Sequence, residues 1–281
     1  MPAKADLLAI INNRQYRYMN ILDTIVAQKR KEVEEAKRKR TIAELEQGPF
    51  FKKETLSLKH HLLDEGRTGI IAEFKRRSPS KGVINDKVRV EDITSAYEQY
   101  GASGISVLTD TEFFGGSLDD LVAARVNKVP LLRKDFMIDE YQLVEAKAFG
   151  ADAILLIAAC LTPGQVKSLA QSAKSLGLEV LLELHDECEL EHVCADVDLV
   201  GVNNRNLKNF AVDLEHSVRL AQHIGDGFVK VAESGINDVK NINYLKGYGF
   251  KGFLIGEHFM RQTDPGAAFK EFVAALKEVQ V

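Results

Sequence analysis

The sequence predicts an α/β fold, a closed (β/α)8 TIM barrel with an N-terminal helical extension. From residue 70 onward, short apolar or β-branched runs recur at a spacing of roughly 20 to 35 residues, and each is followed by a helical pattern. Parallel strands require such crossovers, and eight units in about 210 residues fit a closed barrel better than a doubly wound sheet of about five or six strands. The predicted strands are 70–75, 104–110, 130–136, 152–158, 179–184, 198–204, 228–234 and 252–256.

The composition is that of an ordinary water-soluble domain. Of the 281 residues, 45% are hydrophobic and 28% are charged, and the formal net charge of −4 gives no general attraction to nucleic acid or to anionic membranes. No window approaches the roughly 18 apolar residues of a membrane span, and the N-terminal apolar run is too short for a signal peptide. The three cysteines form no CxxC pair, which indicates reduced thiols. We expect a cytoplasmic protein without nucleic-acid or membrane partners.

Residues 1–66 precede the eight units and are predicted to form a helical extension packed on the barrel mouth, with the catalytic barrel at 67–281 in one structural domain overall. Residues 21–40 predict a helix. The basic run 29–40 is interrupted by acidic residues, so we interpret it as a solvated helix face rather than a nucleic-acid site. The apolar side of this helix carries Leu22, Ile25, Val26, Val33 and Ala36.

Charged side chains mark the ends of most predicted strands. Residues i and i+2 of a strand share one face, so Glu73 and Lys75 point to the same side. In a barrel enzyme the chemistry lies at the carboxyl ends of the strands, and buried charges there must pair or act on a ligand. The sequence therefore predicts an active site at this end. Its candidate residues are Glu73, Lys75, Thr109, Asp110, Lys134, Asp135, Glu183, His185, Asn203, Asn204, Arg205, Glu233, Ser234, Gly256 and Glu257.

The last two strand ends suggest a phosphate site. "AESG" ends the seventh run and "LIGE" ends the eighth. Barrels commonly bind phosphate at the loops after these two strands, and glycine lets an anion approach the backbone closely. Ser234 and Gly235, together with Gly256 and Glu257, occupy these positions. The expected ligand is a phosphorylated small molecule.

Eight segments closely resemble those of the indole-3-glycerol phosphate synthase family. They are "IIAEFKRRSPSKG", "SVLTDTEFFGGS", "PLLRKDF", "ADAILLIAA", "LLELHDE", "LVGVNNRNL", "VAESGI" and "FLIGEHFM". They occur in the family's order and at its spacing, and the resemblance runs from "ILDTIVAQKRKEV", at about residue 21, to the C-terminus. Eight motifs in register make the resemblance specific. Residues 1–20 have no counterpart that we can place, and this longer N-terminus is the one departure from the family pattern.

The resemblance implies a barrel whose extension lies over the active-site mouth and an enzyme of tryptophan biosynthesis. The family converts 1-(2-carboxyphenylamino)-1-deoxyribulose 5-phosphate into indole-3-glycerol phosphate, with loss of CO2 and water and with no cofactor or metal. By this resemblance Lys134 is the general acid on the substrate ketone, and Glu183 transfers a proton during dehydration.

The resemblance also implies the other site residues. Glu73 and Lys75 are the first-strand pair, Asn203 supports them, and Glu233 is a further active-site carboxylate. The implied phosphate ligands are Lys75, Ser78, Arg205, Ser234, Gly235, Gly256 and Glu257. The implied pocket for the anthranilate ring consists of Phe114, Phe136, Leu155 and Leu207.

Two other functions stay open from the residues alone. In a Schiff-base aldolase, a barrel-strand lysine such as Lys134 attacks a carbonyl. A non-catalytic barrel that binds a phosphorylated ligand is the alternative from another class. The chain ends shortly after the eighth unit, so we expect a monofunctional protein, and contact with other enzymes of the tryptophan pathway is compatible with this reading. His60 and His61 are adjacent and do not predict a metal site, and His185 is interpreted as structural.

Overall fold

The predicted barrel is confirmed by the computed structural model, which describes residues 21–206 and 211–278. The strands are parallel and close into a ring, because β1 pairs with both β2 and β8. The prediction is accurate to a few residues at each strand, and β8 begins at Phe250 rather than at residue 252. The strands are β1 (Ile70–Phe74), β2 (Gly104–Leu108), β3 (Leu131–Lys134), β4 (Ala153–Ile157), β5 (Glu179–Leu184), β6 (Leu199–Asn203), β7 (Val229–Glu233) and β8 (Phe250–Ile255).

Helices surround the barrel and connect its strands. Several begin at a residue whose side chain accepts a hydrogen bond from the first helical turn, such as Ser117, Asp139 and Thr162. The helices are α1 (Ile21–Lys39), α2 (Ile42–Leu45), α3 (Leu58–Leu63), α4 (Val90–Gln99), α5 (Leu118–Ala124), α6 (Glu140–Ala148), α7 (Pro163–Ser175), α8 (Leu214–Ala221), α9 (Val239–Lys246), α10 (Glu257–Met260) and α11 (Pro265–Glu278). A short antiparallel hairpin, Arg77–Ser78 with Gly82–Val83, follows β1.

The connection after β5 departs from the predicted pattern. It contains a 3-10 helix, Glu187–His192, where the sequence led us to expect a helical unit like the others. The His192 ring lies 3.0 Å from the Glu189 carbonyl oxygen through Nδ1 and 2.9 Å from the Leu161 carbonyl oxygen through Nε2. The buried ring therefore ties this tight turn to the preceding unit of the barrel.

Residues of β1 alternate between two apolar layers. Ile71 belongs to the cluster that fills the barrel interior, whereas Ile70, Ala72 and Phe74 belong to the larger cluster between the strands and the outer helices. The period of two residues therefore turns Glu73 toward the interior, as predicted.

The extension reaches both ends of the barrel. Helix α1 lies at the mouth, and its Ile25 and Val33 are buried. Helix α3 lies at the opposite end, where Leu58 and Leu62 join the interior cluster. A Cβ atom on Gly104, the first residue of β2, would come within 2.5 Å of Leu58 Cδ1, so this glycine makes room for the leucine.

One prediction about α1 is wrong. Lys29, which we assigned to a solvated helix face, is only 4% exposed. Its ammonium lies 2.9 Å from a carboxylate oxygen of Asp110 and 2.9 Å from one of Asp135, both in loops of the barrel. The pairing compensates for the loss of hydration that burial imposes on all three charges. Among the helices of the described segments, none is long and apolar enough to cross a membrane.

Candidate active site

A cavity of about 420 Å³ opens at the carboxyl ends of the strands. Its volume is in the range of small-molecule sites. The predicted site residues that line it are Glu73, Lys75, Ser78, Phe114, Lys134, Asp135, Phe136, Leu155, Glu183, Asn203, Arg205, Glu233, Ser234, Gly235, Gly256 and Glu257. Leu207, also predicted for the aryl pocket, lies outside the described residues.

A lysine between two glutamates forms the centre of the cavity. Lys134 Nζ, at the end of β3, lies 3.1 Å from Glu183 Oε2 and 3.7 Å from Glu233 Oε2. Asn203, at the end of β6, donates a hydrogen bond of 3.1 Å to the other Glu183 oxygen. The four side chains come from β3, β5, β6 and β7, so the curvature of the barrel brings them together.

The carboxylates keep Lys134 protonated. Burial alone would lower the pKa of its ammonium, but the negative charges of Glu183, Glu233 and Glu73 outweigh burial and raise the pKa above its usual range. A protonated lysine with open cavity beside it can donate a proton or a hydrogen bond to a ligand oxygen.

The two central glutamates have opposite pKa shifts. Burial would raise the pKa of Glu183, but Lys134 and then His185 lower it well below its usual range. Burial raises the pKa of Glu233 well above its usual range, and the Glu183 carboxylate raises it further. Two carboxyl groups with diverging pKa values can supply one proton acceptor and one proton donor at the same pH.

Glycines make room for two of the carboxylates. A Cβ on Gly201 would lie 2.2 Å from Glu233 Oε1, and a Cβ on Gly256 would lie 2.4 Å from Glu73 Oε1. Glu73 also accepts a hydrogen bond of 2.5 Å from Lys75 Nζ. Any larger residue at 201 or 256 would displace a charged side chain of the cavity.

One end of the cavity is basic and rich in backbone groups. Arg205 Nη2 lies 3.0 Å from Glu257 Oε2, and Lys75 reaches the same wall. Burial would raise the pKa of Glu257, but Arg205 lowers it, so this carboxylate stays charged.

Ser234 and Gly235 both have positive φ, 67° and 72°. Such a conformation is uncommon for serine, and it is often found at functional sites.

The other end of the cavity is apolar. The rings of Phe114 and Phe136 have their centroids 6.0 Å apart at an interplanar angle of 40°, and Leu155 is buried beneath them. Helix α1 adds Ile21, Leu22 and Ile25 to this wall. The sequence predicts Leu22 and Ile25 on an apolar helix face but gives no reason to connect them with the site.

His185 is a site neighbour that the sequence analysis interpreted as structural. Its Nε2 lies 3.2 Å from Glu183 Oε1 and its Nδ1 lies 3.9 Å from Glu189 Oε2. Burial lowers the pKa of the ring, but Glu183 outweighs it, so the net shift is upward. The spacing of Glu183 and His185, two residues apart, is the signal that could have revealed this contact.

Comparison with known proteins places the chain in a family. The family model described as indole-3-glycerol phosphate synthase matches residues 22–272. A protein of that name from Bacteroides thetaiotaomicron is 48% identical over 259 residues, 92% of this chain and 99% of the relative. One from Salinibacter ruber is 44% identical over 265 residues, 93% of this chain and 98% of the relative.

Solved structures of lower identity share the fold. A mutant tryptophan synthase α-subunit from Pyrococcus furiosus superimposes with a TM-score of 0.58 at 15% identity, covering 75% of this chain and 99% of that one. Thiamine phosphate pyrophosphorylase from Pyrococcus furiosus gives 0.57 at 17% identity, over 80% of this chain and 100% of that one. The family model and the relatives above 40% identity, which span nearly the whole chain, carry the stronger conclusion: the chain belongs to the indole-3-glycerol phosphate synthase family.

Proposed function

We propose that the chain closes the indole ring of indole-3-glycerol phosphate from 1-(2-carboxyphenylamino)-1-deoxyribulose 5-phosphate, releasing CO2 and water. The observation that carries the proposal is the order of groups in the cavity. The apolar residues Phe114, Phe136 and Leu155 follow or lie on β2 to β4, Lys134 meets Glu183 and Glu233, and the basic and glycine-rich residues follow β6 to β8. These groups match the aryl ring, the reacting carbons and the phosphate of this substrate. The basic end binds the phosphate through Lys75, Ser78, Arg205 and the backbone at 234–235 and 256–257.

Lys134 is the general acid of ring closure in this proposal. The aryl carbon that bears the carboxylate must attack the C2 ketone, which is a weak electrophile. Proton donation from Lys134 to the ketone oxygen makes it more electrophilic, and its raised pKa keeps the proton available. The same protonation disfavours a Schiff-base aldolase, because a lysine nucleophile must be neutral.

The apolar end positions the ring for this attack. Packing of the aryl group between Phe114, Phe136 and Leu155 brings two carbons to reacting distance and so lowers the entropic part of the barrier. A second cation near the substrate carboxylate can hold it until CO2 leaves and the ring regains aromaticity. Glu73, within hydrogen-bond distance of Lys75, fixes that ammonium.

Dehydration needs a proton acceptor and a proton donor. Glu183 stays ionised and is oriented by Asn203, so we assign it the role of base. Glu233 is the candidate donor to the leaving hydroxyl group, because burial and then the Glu183 carboxylate raise its pKa well above its usual range. Arg205, held by Glu257, marks the phosphate end and fixes the direction in which the substrate lies.

The test is to measure indole-3-glycerol phosphate formation by the wild-type protein and by Lys134→Ala, both in EDTA. We expect turnover by the wild type and a loss in kcat of about 10²–10⁴-fold in the variant, the usual contribution of a general acid. A reduced substrate analogue should still bind to the variant.

Two outcomes would change the assignment. A folded wild-type protein without turnover would favour a non-catalytic barrel that binds a phosphorylated ligand. Turnover that survives in Lys134→Ala would transfer the acid role to another group, with Lys75 as the next candidate because it is a second ammonium that the described residues place in the cavity wall.

A further inference from the structure

Lys29 of helix α1 connects the extension to two loops that carry the aromatic wall of the cavity. Its Nζ lies 2.9 Å from Asp110 Oδ2, after β2, and 2.9 Å from Asp135 Oδ1, after β3. Glu32, one turn further along α1, lies 2.7 Å from the same ammonium. The three side chains of the central pairing are each 5% exposed or less.

The two aspartates are also bound to the backbone of the phenylalanine loops. Asp110 Oδ1 accepts hydrogen bonds from the backbone N–H groups of Phe113 (2.8 Å) and Phe114 (3.2 Å). Asp135 Oδ1 accepts one from the N–H of Phe136 (2.8 Å). An unbroken series of contacts therefore leads from the ammonium to Phe114 and Phe136.

We propose that Lys29 is a positioning residue for the aryl end of the cavity, because it fixes the two carboxylates that set the backbone positions of Phe114 and Phe136. It touches neither the substrate nor the reacting atoms, and the inference rests on the proposed function. Lys29 should therefore affect how tightly the aromatic part of the substrate binds, because the two rings form an apolar wall shaped for it.

The two aspartates depend on Lys29 to different degrees. Asp135 has further partners, because its Oδ2 accepts a hydrogen bond from Thr109 Oγ1 (2.7 Å) and lies 3.2 Å from Arg133 Nη2. Lys29 is the ion-pair partner that the described part of the chain shows for Asp110. Loss of the ammonium should therefore displace the Phe114 loop more than the Phe136 loop.

Lys37→Met is a matched control for the test variant Lys29→Met. Lys37 lies on the same helix and also pairs with a barrel aspartate, Asp139, at 2.8 Å, but its side chain is 37% exposed and Asp139 precedes α6, outside the cavity wall. KM and kcat are measured for both variants, with anthranilate and inorganic phosphate as competitive inhibitors that each probe one end of the substrate.

For Lys29→Met we expect KM and the inhibition constant of anthranilate to rise about tenfold, the size expected for a loosened apolar pocket. The inhibition constant of phosphate and kcat should stay near the wild-type values, and Lys37→Met should change none of the four. An unchanged KM in folded Lys29→Met would overturn the proposal. An equal loss of anthranilate and phosphate affinity would overturn it too, because it would indicate general loosening.

Two further variants keep the test decisive if Lys29→Met does not fold. Lys29→Met with Asp110→Asn removes one charge of each sign and keeps the oxygen that accepts from the Phe114 backbone, and it should show the same KM effect. Lys29→Arg restores the cation and should recover most of the affinity. A wild-type protein without turnover would refute the proposed function, whereas normal wild-type turnover with unchanged variants would refute only the role of Lys29.

Discussion

Arg133 and Lys134 are neighbours on β3, yet they belong to two different buried charge clusters. Lys134 faces the cavity and meets Glu183 and Glu233. Arg133 faces the outer layer, where its Nη2 lies 3.2 Å from Asp135 and 2.9 Å from Glu145. The alternation of a β-strand turns the side chains of Arg133 and Lys134 to opposite faces of the barrel wall.

The clusters differ in how completely their charges are paired. In the outer cluster, Asp110, Asp135 and Glu145 each lie within 3.2 Å of a cation. In the inner cluster, Glu233 lies 3.7 Å from Lys134, and its Oε1 has no hydrogen-bond partner in the described segments. A closely ion-paired cluster stabilises the fold, whereas a more loosely paired one leaves a carboxylate available to a ligand.

The largest expected effect is on kcat, and it should appear when a glutamate of the inner cluster is replaced by glutamine but not when one of the outer cluster is. Glu183→Gln removes the proposed base, so kcat should fall by about 10²–10⁴-fold. Glu145→Gln removes a buried glutamate that is likewise paired with a β3 cation, and kcat of the folded protein should stay near the wild-type value. Steady-state kinetics check both. A comparable loss of kcat in the two variants would erase the functional distinction between the clusters.

The second effect is on the free energy of unfolding, and here the outer cluster should be more sensitive to substitution than the inner cluster. Arg133→Met leaves Asp135 and Glu145 with one cation fewer in a closed environment, so the free energy of unfolding should fall by about 3–5 kcal/mol. Lys134→Met should lower it less, because the cavity is open to water and Glu183 can take up a proton. Urea denaturation at neutral pH measures both. An equal or larger loss in Lys134→Met would show that the inner cluster also stabilises the fold.

The smallest expected effect is a shift in the pH dependence of kcat, and it tests whether His185 belongs to the inner cluster. His185 is faced by Glu183, Glu189 and Lys134, and its protonated ring helps keep Glu183 ionised. In His185→Phe the pKa of Glu183 should rise, so the acidic limb of the kcat profile should move to higher pH with little change at neutral pH. The exposed His223→Phe is the control. An unmoved acidic limb would remove His185 from the proton chemistry.

The sequence was sufficient for the barrel and for most of the cavity wall. Strand periodicity alone turns Glu73 inward, and the carboxyl ends of parallel strands must converge, so Lys134, Glu183 and Asn203 could be grouped before their distances were known. The same two-residue rule applies to Glu183 and His185. Both residues are strand-end candidates, but the interpretation of His185 as structural gives no reason to expect their contact.

Lys29 could not be interpreted from its own helix. A lysine in a run of charges predicts exposure, and its burial becomes favourable only because Asp110 and Asp135, from two distant loops, meet it in space. The lining by Ile21 and Leu22 has the same origin, because it depends on where the helix crosses the barrel. Such contacts follow from docking of the extension, which local periodicity does not encode.

The closure of the barrel floor has a consequence for how the chain folds. Leu58 packs at Gly104 on β2 and Leu62 packs at Gly252 on β8, so a segment made early must contact a strand made last. Contacts so distant in sequence form slowly, and synthesis from the N-terminus delays them further. We expect α3 to lack its final binding surface until β8 has left the ribosome, so that seating of these two leucines is among the last steps on the way to the native state.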